Sequence, residues 1–145
     1  VSVLARSRDR AGPSLDVNAI AREVKRAQDR VEPLEVLTAN FPELDVPAAY
    51  AVARRVSDAR RAEGFVAVGR KIGFTNSSIW PEYGVYEPIW GHMYDRTVVR
   101  LGGGEARCSL RAFAEPRIEP EIAFGLRSAP APQADPAGLL ESIEW

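Results

Sequence analysis

The sequence predicts an α+β fold, with helices leading and strands following, and three patterns carry that prediction. Apolar residues recur at helical spacing over 17–31 and again over 46–59, a glycine-punctuated run alternates over 65–74, and a second apolar run spans 117–126. The chain has 145 residues, enough for one domain with its own core and too few for several. Hydrophobic residues at 46% and charged residues at 27% match ordinary globular proteins, which excludes a disordered or fibrous class.

The first helix starts after Asp16, whose carboxylate suits the free N–H groups of a first turn, and its stripe is Val17, Ile20, Val24, Ala27 and Val31. Pro33 stops it. A connector through Phe41-Pro42 leads to a second helix, with Asp45 as cap, Pro47 in the first turn and Gly64 as the closing left-handed residue. Phe65 to Phe74 reads as a strand whose glycines admit a close backbone or ligand. Thr75-Asn76-Ser77 caps a short helix ending at Gly84, and the aromatic stretch from Val85 to Tyr94 reads as an ordered loop over a pocket. Arg96 to Leu101 is expected to pair with Glu105 to Leu110 across the Gly102-Gly103-Gly104 turn, and Arg117 to Leu126 is expected to be a further strand. Asp135-Pro136 opens a last helix carrying Leu139, Leu140 and Ile143. The organisation read from this is a loose arm over 1–15 and a single domain over 16–145, which stops at Trp145 in mid-pattern and so reads as truncated on its C-terminal side.

Charge and cysteine content narrow the function classes. The net charge of −1 comes from acids and bases spread along the chain, without the basic stripe that nucleic-acid binding needs. No apolar run reaches the ~20 residues that span a bilayer, and the arginine-rich start lacks a signal peptide's apolar core, so a cytoplasmic protein without a membrane partner is expected. Cys108 is the single cysteine, which leaves no internal disulfide and no thiolate metal cluster. Of the 19 basic residues only Lys25 and Lys71 are lysine, and a chain that writes arginine elsewhere keeps lysine where a titratable amine is useful.

Two features can carry chemistry. In Glu119-Pro120-Glu121 the carboxylates are two apart, so an extended backbone puts them on one side, either on a solvated face or converging on a hard cation that takes oxygen ligands. Lys71, inside Gly69-Arg70-Lys71-Ile72-Gly73, is either a surface lysine or an acid, base or carboxylate anchor facing a pocket. His92, the only histidine, is assigned an ordinary loop or capping role, and the tryptophans and tyrosines are assigned to packing or a subunit contact.

The order of these segments is more specific than any one of them. An amphipathic helix pair, then Gly-x-Lys-Ile-Gly-Phe-Thr, then Tyr-Gly-Val-Tyr-Glu-Pro-Ile-Trp-Gly, then Arg-Ile-Glu-Pro-Glu-Ile-Ala-Phe resembles the N-terminal part of the 2-keto-4-pentenoate hydratase and 4-oxalocrotonate decarboxylase family of the fumarylacetoacetate hydrolase superfamily. The resemblance implies helices packed on a mixed β-roll or barrel, incomplete in this chain, and assembly into a homo-oligomer. It implies a lyase of aromatic catabolism acting on a small-molecule 2-oxo acid, with Mg²⁺ or Mn²⁺ as cofactor. By the same resemblance Glu119 and Glu121 are metal ligands, Lys71 is the active-site lysine that also binds substrate, and Thr75 binds substrate beside it. The family's third carboxylate ligand falls in a segment further downstream. Hydratases of the family often carry an aspartate near the position where this sequence has Ile89, which leaves open the decarboxylase branch or an inactive assembly subunit; an acylpyruvate hydrolase, the superfamily's other alternative, calls on a histidine and glutamate pair.

Overall fold

The computed structural model of the chain describes residues 15–145. Two compact units divide it, one running to Ala114 and the other spanning Glu115–Trp145. The arm expected over 1–15 lies outside the described residues apart from Leu15, which packs against the first unit's core.

The first unit opens with α1 (Val17–Arg30), a short α2 (Leu37–Asn40) and α3 (Val46–Ala62), and α1 packs against α3. Asp16 accepts the Ala19 N–H at 2.9 Å and Asp45 accepts the Ala48 N–H at 2.8 Å, so both long helices begin where a side-chain oxygen replaces a missing backbone acceptor. Ile20 of the stripe read for the first helix faces inward and forms the buried cluster with Val52 and with Ala21, which lies outside that stripe, and Val17, Val24 and Val56 pack around it. Helix α2 falls in what the sequence reads only as connector, and it brings Leu37, with Phe41 and Leu44 after it, onto the same cluster. Helix α1 ends at Arg30 through Val31, whose φ of 56° is left-handed, just ahead of Pro33.

Charges join the C-terminal ends of α1 and α3. Lys25 meets Asp29 at 2.6 Å and also pairs with Glu63, while Arg60 pairs with Asp29 and reaches the Gln28 amide oxygen at 3.1 Å. The hydrogen bond from Lys25, ahead of that from Arg60, holds the Asp29 carboxyl below the usual carboxylate range. The bonds to Asp29 and then Glu63 push the Lys25 ammonium above its ordinary value.

After Gly64, which takes φ 84° as a helix terminator does, the chain forms β1 (Ala67–Gly73). Its antiparallel partner is β2 (Ile89–Tyr94), part of the stretch read from sequence as a loop. Pro88 sits just outside β2, where a missing N–H costs the ladder nothing. The alternation of Ile89, Gly91 and Met93 with Trp90, His92 and Tyr94 is the strand signal that the aromatic content hides. Val68 is an extra residue in the register and makes a β-bulge. Between the strands, Asn76 accepts the Ser78 N–H at 3.1 Å and opens a 3-10 turn, Ser77–Ile79, that runs into α4 (Trp80–Tyr83), closed by Gly84 at φ 64°.

The remaining strands expected from the sequence do not form among the described residues, where the one sheet has two strands. Asp95 accepts the Val66 N–H at 3.0 Å and starts a 3-10 turn, Asp95–Thr97, which ends β2 and occupies the start of the strand expected at Arg96. Gly103 and Gly104 turn the chain with positive φ, yet Ser109 caps a 3-10 turn at Leu110–Ala112 instead of entering a hairpin. In the second unit, Arg117 to Gly125 has no ladder, and only Leu126 bridges to Ile143. A strand's hydrogen bonds come from a neighbour, and alternation alone supplies none.

The second unit closes around its last helix, α5 (Pro136–Glu141), which opens at Asp135-Pro136 as the sequence predicts; Asp135 accepts the Gly138 N–H at 2.8 Å. Gly125 donates to the Trp145 carbonyl at 2.8 Å and accepts from the Glu144 N–H at 2.7 Å. A side chain at Gly125 would overlap the Trp145 indole, so glycine there permits the ring to lie on the backbone.

Candidate functional site

The register of the two-stranded sheet sorts its residues onto two faces. Cross-strand partners share a face, so Arg70 with His92 and Ile72 with Trp90 lie on one side, together with Tyr94. Lys71 with Gly91, Gly69 with Met93, and Gly73 with Ile89 lie on the other. Consecutive residues Arg70 and Lys71 therefore serve opposite surfaces.

On its face, Lys71 has Gly69 and Gly73 two residues away along its own strand and Gly91 directly across the ladder. A Cβ added at any of these three glycines would meet no atom within 4 Å. Glycine inside a strand costs stability and leaves a backbone-flat surface, which suits a planar ligand lying beside an amine. The glycine across the ladder, Gly91, is a site feature that sequence reasoning misses, because it follows only once 89–94 is a strand. Ile89 also falls on the Lys71 face.

The chain leaves β1 through a strained residue. Phe74 has φ 58°, a left-handed conformation that costs a residue with a Cβ ~1–2 kcal/mol. It is held there by the Trp80 indole N–H, which donates to the Phe74 carbonyl at 2.9 Å, and by edge-to-face packing on Tyr83 at 5.5 Å. This bend fixes where Thr75, exposed at the start of the following loop, leaves the sheet. Strain of this kind is maintained at sites that need a particular direction of chain.

The opposite face carries an aromatic row. Trp90 and His92 meet edge-to-face at 5.3 Å, His92 and Tyr94 lie 6.2 Å apart, and Tyr50 of α3 packs on Trp90 at 5.6 Å. The Tyr50 hydroxyl accepts the Trp90 backbone N–H at 3.2 Å, and the Arg70 guanidinium lies 4.3 Å above the Trp90 ring. His92 is thus a member of a packed strand face, which corrects its assignment to a loop.

Glu119 and Glu121 belong to the second unit, in an exposed segment without regular structure, flanked by Ile118 and Ile122. Their oxygens are the donor type that a hard divalent cation takes, and as a pair they make up part of the six or more ligands such an ion needs. No group of three or more His, Cys, Asp or Glu side chains stands ready to hold a metal among the described residues.

Fold and site together define a small α+β protein that presents a lysine on a glycine-lined sheet face and carries a separate Glu-Pro-Glu segment. The chain is a homologue of the 2-keto-4-pentenoate hydratases and of 4-oxalocrotonate decarboxylase. It is 32% identical over 111 residues to the 2-hydroxypent-2,4-dienoate hydratase of Pseudomonas putida, covering 77% of this chain and 49% of the relative. It is 31% identical over 108 residues to the 4-oxalocrotonate decarboxylase of Pseudomonas sp. strain CF600, covering 74% of this chain and 40% of that protein. Among solved structures, the 4-oxalocrotonate decarboxylase from Pseudomonas putida G7, complexed with magnesium and adipate, superposes with a TM-score of 0.52 at 31% identity, over 55% of this chain and 30% of that one. The same decarboxylase is also solved with calcium and acetate. No family model matches the chain. The chain spans about half or less of the length of the curated relatives it matches. No helix among the described residues is long and apolar enough to cross a membrane.

Proposed function

We propose that this protein is a metal-dependent lyase acting on 2-oxo or 2-hydroxy-dienoic acids, hydrating a 2-keto-4-pentenoate-like substrate in aromatic-compound catabolism. The observation that carries the reading is the placement of Lys71 on a sheet face cleared by Gly69, Gly73 and Gly91, within a sequence about a third identical to a dienoate hydratase. The reading extends to a fumarylacetoacetate-hydrolase-type barrel, to a homo-oligomer, and to a small-molecule 2-oxo acid as the partner, in a soluble protein of the cytoplasm.

Glu119 and Glu121 would hold Mg²⁺ or Mn²⁺, completed by further oxygen ligands. A divalent cation bound there supplies Lewis-acid stabilisation of the negative charge that develops on a 2-oxo acid when a proton moves. The chain's own residues do the rest. The flat surface around Lys71 accepts a conjugated acid edge-on, the Lys71 ammonium pairs with its carboxylate, and Thr75 hydrogen-bonds beside it. Protonation of the terminal carbon of the 2-hydroxy-diene, with loss of the enol proton, gives the conjugated 2-oxo-enoic acid, and water then adds across its remaining double bond. Lys71 would serve those steps by holding the carboxylate or by moving a proton.

One observation favours decarboxylation as a second reading. Ile89 places an aliphatic side chain on the Lys71 face, close to where the resemblance to hydratases calls for a carboxylate able to handle the water proton. A vinylogous 2-oxo acid losing carbon dioxide needs no such group.

The test is to follow the ultraviolet absorbance of 2-hydroxypenta-2,4-dienoate and of 4-oxalocrotonate with added Mg²⁺ or Mn²⁺, measuring carbon dioxide in parallel. Loss of the dienoate band without carbon dioxide supports the hydratase; carbon dioxide release supports the second reading. Lys71→Ala is expected to lower kcat/KM by about 10²–10⁴-fold, and removing the cation with a chelator is expected to abolish turnover. No turnover of either substrate with any divalent cation would overturn both readings.

A further inference from the structure

We propose that the cleft between the helices and the Arg70 face of the sheet is a binding site for a planar, aromatic-sized carboxylate, distinct from the Lys71 face. The cleft encloses ≈ 760 Å³ within the first unit, inside the range of about 300–1,000 Å³ that small-molecule sites occupy. Its sheet side is the aromatic row of Trp90, His92 and Tyr94, continued by Tyr50. Its helix side presents aliphatic side chains, Val24, Leu37, Leu44 and Val56, among charged and polar ones. An aromatic surface facing an aliphatic one receives a flat apolar body.

Charge selects the rest of the ligand. Among the described residues, Arg54, Arg61 and Arg70 line the cleft against one carboxylate, Asp58, which lies 4.0 Å from Arg61. The balance is cationic. Arg70 lies over the Trp90 ring, an arrangement that leaves the edge N–H groups of a guanidinium able to take a carboxylate through two parallel hydrogen bonds.

An independent observation points to an occupant. Ser57, on α3, lines the same cleft, is only 3% exposed, and its Oγ is buried with no hydrogen-bond partner among the described residues. Buried hydroxyls are satisfied in the large majority of cases, so this orphan, whose Oγ is covered as it stands, would be met by a ligand atom once the Ser57 side chain turns toward the cleft. A carboxylate oxygen or a ring hydroxyl would do so.

Because Arg70 and Lys71 lie on opposite faces, single substitutions separate this site from the one proposed for catalysis. Benzoate is the probe, titrated into the protein and read by calorimetry and tryptophan fluorescence. Saturable binding with a dissociation constant on the order of 1 mM or tighter is expected for so small a ligand. Arg70→Ala should weaken the cleft component about tenfold or more and Arg70→Lys less, Ser57→Ala should weaken it, and Lys71→Ala, which removes any benzoate held on the other face, should leave that Arg70-dependent component in place. Circular dichroism of each variant checks that the helices persist, and Arg54→Ala serves as the second cationic variant should Arg70→Ala unfold. Absence of saturation at tens of millimolar benzoate would overturn the proposal. So would binding lost in Lys71→Ala and kept in Arg70→Ala, which would put the carboxylate on the other face. A concentration-dependent dimer weakened by Arg70→Ala, without benzoate binding, would assign the cleft to a second copy and overturn it as well.

Discussion

The helix pair α1–α3 and the stretch from Val98 to Phe124 are both rich in apolar residues, and they use them in opposite ways. In the pair, Ile20 is 1% exposed at the centre of a cluster drawn from both helices and the connector between them. In the later stretch Val99 is 80%, Ile118 95% and Ile122 82% exposed, and no ladder forms among the described residues. A helix satisfies its own backbone and needs a neighbour only for one stripe, whereas a strand needs a neighbour for its hydrogen bonds as well. Apolar content is therefore equal evidence for burial only where the partner lies close along the chain.

The largest effect expected from this contrast is in paired truncations. Ile20→Ala should lower the unfolding free energy by ~2–5 kcal/mol, seen as a fall in the urea midpoint followed by circular dichroism at helical wavelengths. Ile118→Ala should change it by less than ~0.5 kcal/mol, the usual value for an exposed side chain. A cost of more than ~1 kcal/mol at Ile118 would show that the segment is covered in solution and would break the contrast.

The same contrast explains what was legible in the sequence. Asp16, Asp45, Asn76 and Asp135 each accept a backbone N–H where their helix or turn begins, because a cap acts within three residues of itself. Strand β1 could be read from its alternation and its glycines, but β2 was concealed by Pro88 and by aromatic residues that suggest a pocket loop. The strand expected near Arg96 gives way to the 3-10 turn that starts at Asp95, and the run expected from Arg117 has no ladder partner among the described residues. At the candidate site, Lys71 and its flanking Gly69 and Gly73 were visible in one segment. Ile89 was singled out only through the resemblance, whereas Gly91 beside Lys71 and the separation of Arg70 onto the other face depend on register and had no signal before the pairing was known.

A smaller effect separates the caps of the two units. Asp45→Ala should cost ~1 kcal/mol of the helix pair's stability, since α3 is 17 residues long and brings Val52 and Val56 to the core. Asp135→Ala should leave that midpoint in place and instead speed amide exchange at Gly138, whose N–H it caps in the other unit. A shared midpoint shift for both variants would mean the two units unfold as one.

The smallest effect, and the one that tests electrostatics rather than burial, comes from the charges linking α1 to α3. Asp29 titrates below its ordinary value because Lys25 and then Arg60 donate to it, so its contribution is fully present above the unfolded value of about 3.9 and is lost as pH falls through the depressed folded value. Lys25 has the reverse sign: raised by Asp29 and Glu63, it contributes below about 10.4 and loses that contribution as pH rises through its folded value. Each pair is partly exposed, which limits it to ~0.2–1 kcal/mol. Asp29→Asn should therefore destabilise the protein by about that much per lost pair between roughly pH 5 and 9. The gap from the parent should close as pH falls through the depressed folded value of Asp29, where the parent's carboxyl also becomes neutral, and narrow only in part as pH rises through the raised folded value of Lys25, because Arg60 stays charged. Denaturant midpoints measured across that range decide it. A gap that stays constant in acid would mean that the substitution at Asp29 perturbs packing and that the helix ends are held by contact rather than charge.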